Sequence, residues 1–143
     1  MSAFEILGGR YLEREERESL LREAKTARFC SLNEDGTIHA TPVWYKYENG
    51  TILIATPSRS RKVRNVKHNK NVTVLIDIGK PTNGVLIYGT AKIDRNDVIT
   101  KAISICEKYM SKKEAASFAG DNVEKGMDTI IQVTPERMVT FHY

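Results

Sequence analysis

The chain has 143 residues, 41% hydrophobic and 28% charged, with 22 Lys/Arg against 18 Asp/Glu for a formal net charge of +4. That size and balance fit a single domain, 1–143, with a buried core. No apolar run approaches the roughly 20 residues a membrane helix requires, and the first residues lack a signal-peptide core, so a cytoplasmic protein outside the membrane is expected.

Residues 1–24 read as mainly helical, with a helix over about 12–25. Glu, Arg and Leu dominate its second half, and Leu12, Leu20, Leu21 and Ala24 form an apolar stripe. From Ala27 the texture changes to strands. Ala27 to Leu32 is the first, and Asn33-Glu34-Asp35-Gly36 is a hairpin turn. Thr37 to Tyr47 returns as a strand bent near Pro42, and Glu48-Asn49-Gly50 is a second turn. Thr51 to Thr56 is β-branched and apolar, a third strand.

Pro57 ends that strand, and a short helix is expected over about Ser60 to Asn69. Val72 to Ile78 and Val85 to Ile93 are the next strands, with Gly89 marking a bulge or a close backbone approach. Asp94 or Asn96 is positioned to cap a helix running to about Met110. A short helical piece over Lys113 to Ala119 follows, then a loop from Asp121 to Asp128. Thr129 to Val133 is a strand that turns at Pro135, and Arg137 to His142 is a last extended segment. The sum is a mainly β chain: six or seven short antiparallel strands with two or three helices, a small barrel with helices attached. The first three strands have no helices between them, which argues against a parallel α/β sheet.

The stretch Ser58 to Lys70 holds six Lys/Arg and no acid; without it the chain has 22 − 6 = 16 Lys/Arg against 18 acids, a net −2. Hydroxyls and cations at a helix entrance supply what a phosphate needs: backbone N–H donors, a favourable dipole and fixed charge. No stacking aromatic is interleaved with these cations and no base-reading module is present, so a nucleic-acid surface is not expected. Upstream, Ala40-Thr41-Pro42-Val43-Trp44-Tyr45 is a strand whose proline interrupts ladder bonding and frees backbone groups. The strand end Ile54-Ala55-Thr56 should lie beside it. A planar heterocycle can rest on those two strand ends while its phosphate reaches the helix entrance. Trp44 is read as a core side chain in preference to a ligand contact.

These segments in this order, Ala-Thr-Pro-Val-Trp-Tyr, Asn-Gly-Thr-Ile-Leu-Ile-Ala-Thr, Ser-Arg-Lys-Val-Arg-Asn-Val and Asn-Val-Thr-Val-Leu-Ile-Asp, resemble the pyridoxamine 5′-phosphate oxidase-like FMN-binding split-barrel family. The resemblance covers about Ala27 to Asp94 well and the rest by element order. It implies a six- to seven-stranded antiparallel split β-barrel, a homodimer with two flavin sites at its interface. Carried over by position, Arg61 and Lys62 hold the FMN phosphate, with Ser60 nearby. Thr41, Pro42 and Val43 meet the isoalloxazine edge through backbone atoms. Ala55 and Thr56 contact the ribityl or ring region, and Asn83, Gly84 or their neighbours from the partner subunit close the site. Residues 137–143 do not match the arginine- and proline-containing segment that true pyridoxamine-phosphate oxidases use for substrate, so the resemblance implies a relative and not that oxidase. Relatives with this shorter pattern take FMN, a deazaflavin cofactor or haem.

Cys30 and Cys106 are expected as buried free thiols. His39, His68 and His142 lack metal-ligand spacing with one another or with a cysteine, and no metal is expected. Each is read as an ordinary surface or core histidine; for His39, in a strand near the candidate site, the alternative is a proton donor or substrate contact. No nucleophile motif or P-loop is present, and no catalytic residue is assigned. The expectation is therefore an FMN-dependent oxidoreductase acting on a small molecule. A deazaflavin-dependent reductase of the same fold and a flavin carrier without turnover are the alternatives.

Overall fold

A computed structural model describes residues 9–79 and 83–142. Among them are four helices, α1 (Arg14–Glu23), α2 (Arg61–His68), α3 (Val98–Cys106) and α4 (Lys112–Glu124). The strands are β1 (Ala27–Leu32), β2 (Ile38–Val43), β3 (Lys46–Glu48), β4 (Thr51–Thr56), β5 (Asn71–Ile78), β6 (Asn83–Asp94) and β7 (Thr129–His142). They form one antiparallel sheet in the order β2-β1-β5-β6-β7-β4-β3.

The two edge strands, β2 and β3, are consecutive in the chain and separated only by Trp44 and Tyr45. One bent segment therefore passes from one edge of the sheet to the other, and the sheet must curl into a half-barrel. Period-two burial sets its inside. Phe29, Ile52, Ile54, Val74, Ile76, Val85, Ile87, Ile131 and Val133 are buried there with Tyr45. Each such side chain contributes about 1.5–3 kcal/mol when taken out of water. Leu20, Leu21 and Ala24 of α1 and Val63 and Val66 of α2 join the same core. The buried Tyr45 hydroxyl donates to the Leu21 carbonyl at 2.7 Å, which ties the corner to α1. Burial raises that phenol's pKa out of any useful range.

On the other face of β4, Leu53 and Ala55 meet a second apolar layer. Val98, Ala102, Ile105 and Cys106 of α3 pack there with Ala115 and Ala119 of α4. The Asn49-Gly50 turn has both residues at positive φ, 51° and 74°, the pairing a two-residue hairpin demands.

Several expectations need correction. Of the N-terminal segment, residues 1–8 lie outside the described residues, and helix begins only at Arg14; Arg10 instead bridges to His142 as extended chain. The expected Thr37–Tyr47 strand is two strands with a corner at Trp44-Tyr45. The helix after β6 is capped by neither Asp94 nor Asn96: Asp97 precedes it at φ 50° without a side-chain cap, because Asp94 is engaged by Lys101 and the Asn96 N–H. The last helix extends to Glu124, through part of the expected loop.

β7 does not turn at Pro135. It runs on past a bulge, where Tyr88 pairs with Arg137 but Gly89 pairs with Pro135, leaving Glu136 extra. Beyond Val133, β4 no longer pairs with this strand, so one side of its ladder is open and a residue without an N–H is tolerated. Gly89 is the close approach its position in the sequence foretells: a Cβ there would sit 2.5 Å from the Thr134 carbonyl oxygen.

Candidate functional site

Helix α2 starts where β4 ends, and three hydrogen-bond systems fix that junction. Ser60 is the N-cap, its Oγ accepting from the Val63 N–H at 3.4 Å and contacting the buried Thr56 hydroxyl at 3.1 Å. Asp128 accepts from the Ser58 N–H at 2.9 Å and the Ser58 hydroxyl at 3.2 Å, and pairs with Arg95 at 2.8 Å. The Ser58 N–H bond above all holds the Asp128 carboxyl below the usual carboxylate range. Behind the helix, the fully buried Asn65 donates to Ser31 Oγ at 3.1 Å and Asn33 Oδ1 at 2.8 Å. The loop and helix are thus anchored to β7 and to the β1–β2 hairpin, which preorganises the entrance. The first helical N–H groups, at Arg61 and Lys62, face no intrahelical acceptor.

Beside this entrance lies a cavity of about 340 Å³. Pro42 and Val43 of β2, Ala55 and Thr56 of β4, and Lys62 of α2 line it, with Pro57 and Trp44. The other wall comes from α3 and α4. Among the described residues no carboxylate lines the cavity, and Lys62 is its one charged group. Lys62 is half-buried and makes no ion pair among the described residues. Burial pulls its pKa down from the ordinary lysine value. A half-desolvated cation without a counterion, next to two unpaired helix N–H groups, is an electrostatic vacancy for an anion.

Of the residues expected from sequence, the structure gathers Pro42, Val43, Ala55, Thr56 and Lys62 at one cavity, and Ser60 hydrogen-bonds to Thr56. Thr41 is next to them on β2, and its buried Oγ1 has no hydrogen-bond partner among the described residues. Arg61 is exposed and does not line the cavity; its charge is a minor contributor, after the Thr37 hydrogen bonds, to holding the Asp35 carboxyl below its ordinary value. Gly84 lies apart on β6, opposite Asp77 and Phe141, where the Phe141 ring fills the space a side chain would take.

His39 is on the same face of β2 as Thr41, and its Nδ1 is buried without a described partner. His68 pairs with Glu34 at 2.9 Å and His142 contacts Asn83, so neither serves this cavity. Both cysteines are free, Cys106 buried at the helical wall and Cys30 only half-buried.

Trp44 is not a core side chain. It is 43% exposed, lines the cavity, and stacks on Tyr109 with ring centroids 4.4 Å apart. The strand corner turns it outward while the neighbouring Tyr45 turns in. Sequence reading also missed Asp128, Asn65 and the α4 wall. The one available signal was the amphipathic spacing of Ala115, Phe118 and Ala119, cut short by ending the helix too soon.

A sequence profile of the pyridoxamine 5′-phosphate oxidase family matches residues 13–142. The chain belongs to that family. No curated protein matches the sequence. Among solved structures, the conserved hypothetical protein Rv2991 from Mycobacterium tuberculosis superposes with a TM-score of 0.80 at 20% identity, covering 92% of this chain and 85% of that one. A FAD-binding protein from Mesorhizobium loti gives 0.70 at 16% identity, covering 94% and 98%. An F420 reductase gives 0.68 at 18%, covering 88% and 98%. These likenesses establish the split-barrel fold.

Proposed function

We propose that this protein binds a phosphate-bearing flavin, FMN, at the entrance of α2 and acts with it as an oxidoreductase on a small molecule in the cytoplasm. The observation that carries the reading is Lys62: half-buried and, among the described residues, without a counterion and facing a cavity that contains no acid. Lys62 and the Arg61 and Lys62 N–H groups would hold the phosphate, with Ser60 keeping the helix end in place. Thr41, Pro42, Val43, Ala55 and Thr56 would border the ring. The orphaned Thr41 hydroxyl fits a polar ring edge or ribityl group. Similarity to a FAD-binding protein and an F420 reductase supports a flavin-type cofactor.

When bound, the flavin supplies the hydride or electron chemistry, and the protein supplies orientation, charge neutralisation and exclusion of water. No acid–base couple is needed at the site, in keeping with Asp77 and Asp94 being engaged by Arg28 and Lys101. A second copy would close the flavin site from its open side through neighbours of Gly84, since Gly84 itself is covered by the Phe141 ring. An apolar strip supports a homodimer: Leu32, Ile38 and Tyr88 are 39%, 71% and 41% exposed on the outer face of β1, β2 and β6.

A deazaflavin cofactor is the second reading. Arg59, Arg64 and Lys67 are exposed around α2 and make no ion pair among the described residues, so a longer acidic tail has cations to meet. FMN titration of the purified protein, followed by quenching of flavin fluorescence, tests the first reading. Saturation at micromolar FMN is expected, and its absence removes FMN as the cofactor.

A further inference from the structure

Two chemically different sets of residues line the cavity. Thr56, Pro57 and Lys62 belong to the end of β4 and the α2 entrance. Trp44, Cys106, Phe118, Val123 and Met127, from the strand corner and the helical hairpin, form an apolar bay in the lining. Among the described residues the bay presents no charge of either sign. A charged ligand group placed there would lose its hydration without gaining a partner.

Two aromatic rings stand open at this bay. Trp44 is 43% and Phe118 45% exposed, with centroids 5.7 Å apart and planes tilted by 36°. Trp44 is fixed from behind: it stacks on Tyr109 with only 10° between the planes. Tyr109 is itself pinned, its hydroxyl donating to the Lys25 carbonyl at 2.7 Å and accepting from the Tyr45 N–H at 3.1 Å. The indole is therefore held in position without help from a ligand. Large apolar rings kept exposed and rigid within a concave site are an unfilled binding surface, because covering them is favourable and costs little ordering.

We propose that the bay is a second ligand subsite, separate from the phosphate end, that takes a compact, uncharged, planar ring molecule stacked against Trp44 and edged by Phe118. The subsite deepens the flavin reading and rests on it for its role: the phosphate end holds the cofactor and the bay holds the substrate. The whole cavity holds about 340 Å³ and the bay is only part of it, which limits its ligand to a molecule of one or two fused rings and excludes a long chain.

Trp44 is the one tryptophan in the sequence, so its fluorescence reports on the bay. Quinoxaline, an uncharged fused bicycle, is titrated into FMN-free and FMN-loaded protein, with calorimetry as a second readout. Quinoxaline-2-carboxylate is the charged control on the loaded protein. Saturable quinoxaline binding is expected in both forms, with the carboxylate weaker by about tenfold or more, the cost of an unpaired desolvated charge. Phe118→Asp, on an exposed position of α4, should weaken quinoxaline by a similar factor and leave FMN affinity unchanged. Lys62→Met should do the reverse. The inference is overturned if quinoxaline does not bind, if it displaces FMN, if the carboxylate binds equally well, or if Phe118→Asp leaves quinoxaline binding intact. Quinoxaline binding of the expected pattern without any FMN binding would remove the flavin reading and leave the subsite standing.

Discussion

Lys62→Met removes the one charged group that lines the cavity among the described residues and keeps most of the aliphatic stem that packs there. The size of its effect follows from where Lys62 sits. A hydrogen bond between an ammonium and a phosphate oxygen contributes about 1.5–3 kcal/mol when partly shielded from water. That corresponds to roughly a 10- to 150-fold rise in the FMN dissociation constant. Arg64 supplies the internal control, since it lies on the same helix but is exposed. An exposed charge is screened and contributes about 0–1 kcal/mol, so Arg64→Met should change FMN affinity by less than about fivefold. Flavin fluorescence titrations at fixed moderate salt compare the three proteins. The thermal midpoint of Lys62→Met should not fall, because burial already disfavours the charged amine in the folded chain. Equal FMN affinity in Lys62→Met and the parent, with a folded variant, would refute the phosphate assignment.

Other substitutions probe the scaffold that holds the site. Gly89→Ala forces a Cβ to within 2.5 Å of the Thr134 carbonyl, so the β6–β7 bulge must shift; a loss of about 1–3 kcal/mol in urea unfolding is expected, and none would mean the approach is slack. Asn65→Ala strips the buried Ser31 hydroxyl and Asn33 of their donor, with an expected cost of about 1–3 kcal/mol and a weaker grip on α2; an unchanged urea midpoint would show water takes over the role. Burial, with help from Lys25, brings the Lys108 amine from 10.5 to about 8. The unfolded chain then binds this proton more tightly, so stability should rise with pH between about 8 and 10.5. Lys108→Met should raise the melting temperature at pH 7 and flatten that rise. A lower melting temperature at pH 7 would show that the contact with the Tyr45 ring, 3.5 Å from the amine, outweighs burial.

Local features of the sequence carried much of this fold. The β1 and β4 strands fall where the apolar, β-branched runs place them, because alternation and flanking turns leave one register in which Phe29, Ile52 and Ile54 point inward. The basic helix was legible from its cap and its breaker, Ser60 and Pro57. What remained hidden depends on distant partners. Pro135 reads as a turn until β6 is seen to supply a bulge opposite Gly89. The outward turn of Trp44 depends on Tyr109, 65 positions later, offering it a ring. Asp128 is an ordinary loop acid until the Ser58 N–H and hydroxyl arrive from the loop that follows β4. At the site, strand ends and the cavity-lining Lys62 were legible, whereas the exposure of Arg61 follows from helix phase relative to the barrel.

What the α2 entrance binds decides the proposed function. Protein purified without added cofactor can be denatured and its released chromophore identified by mass spectrometry, with the intact complex weighed in parallel. FMN is expected, bound at one per chain, in a yellow protein that rebinds it saturably. A deazaflavin in its place would transfer the site to the longer cofactor and keep the role of Lys62. Haem, or no chromophore together with no saturable uptake of FMN, would contradict the flavin assignment.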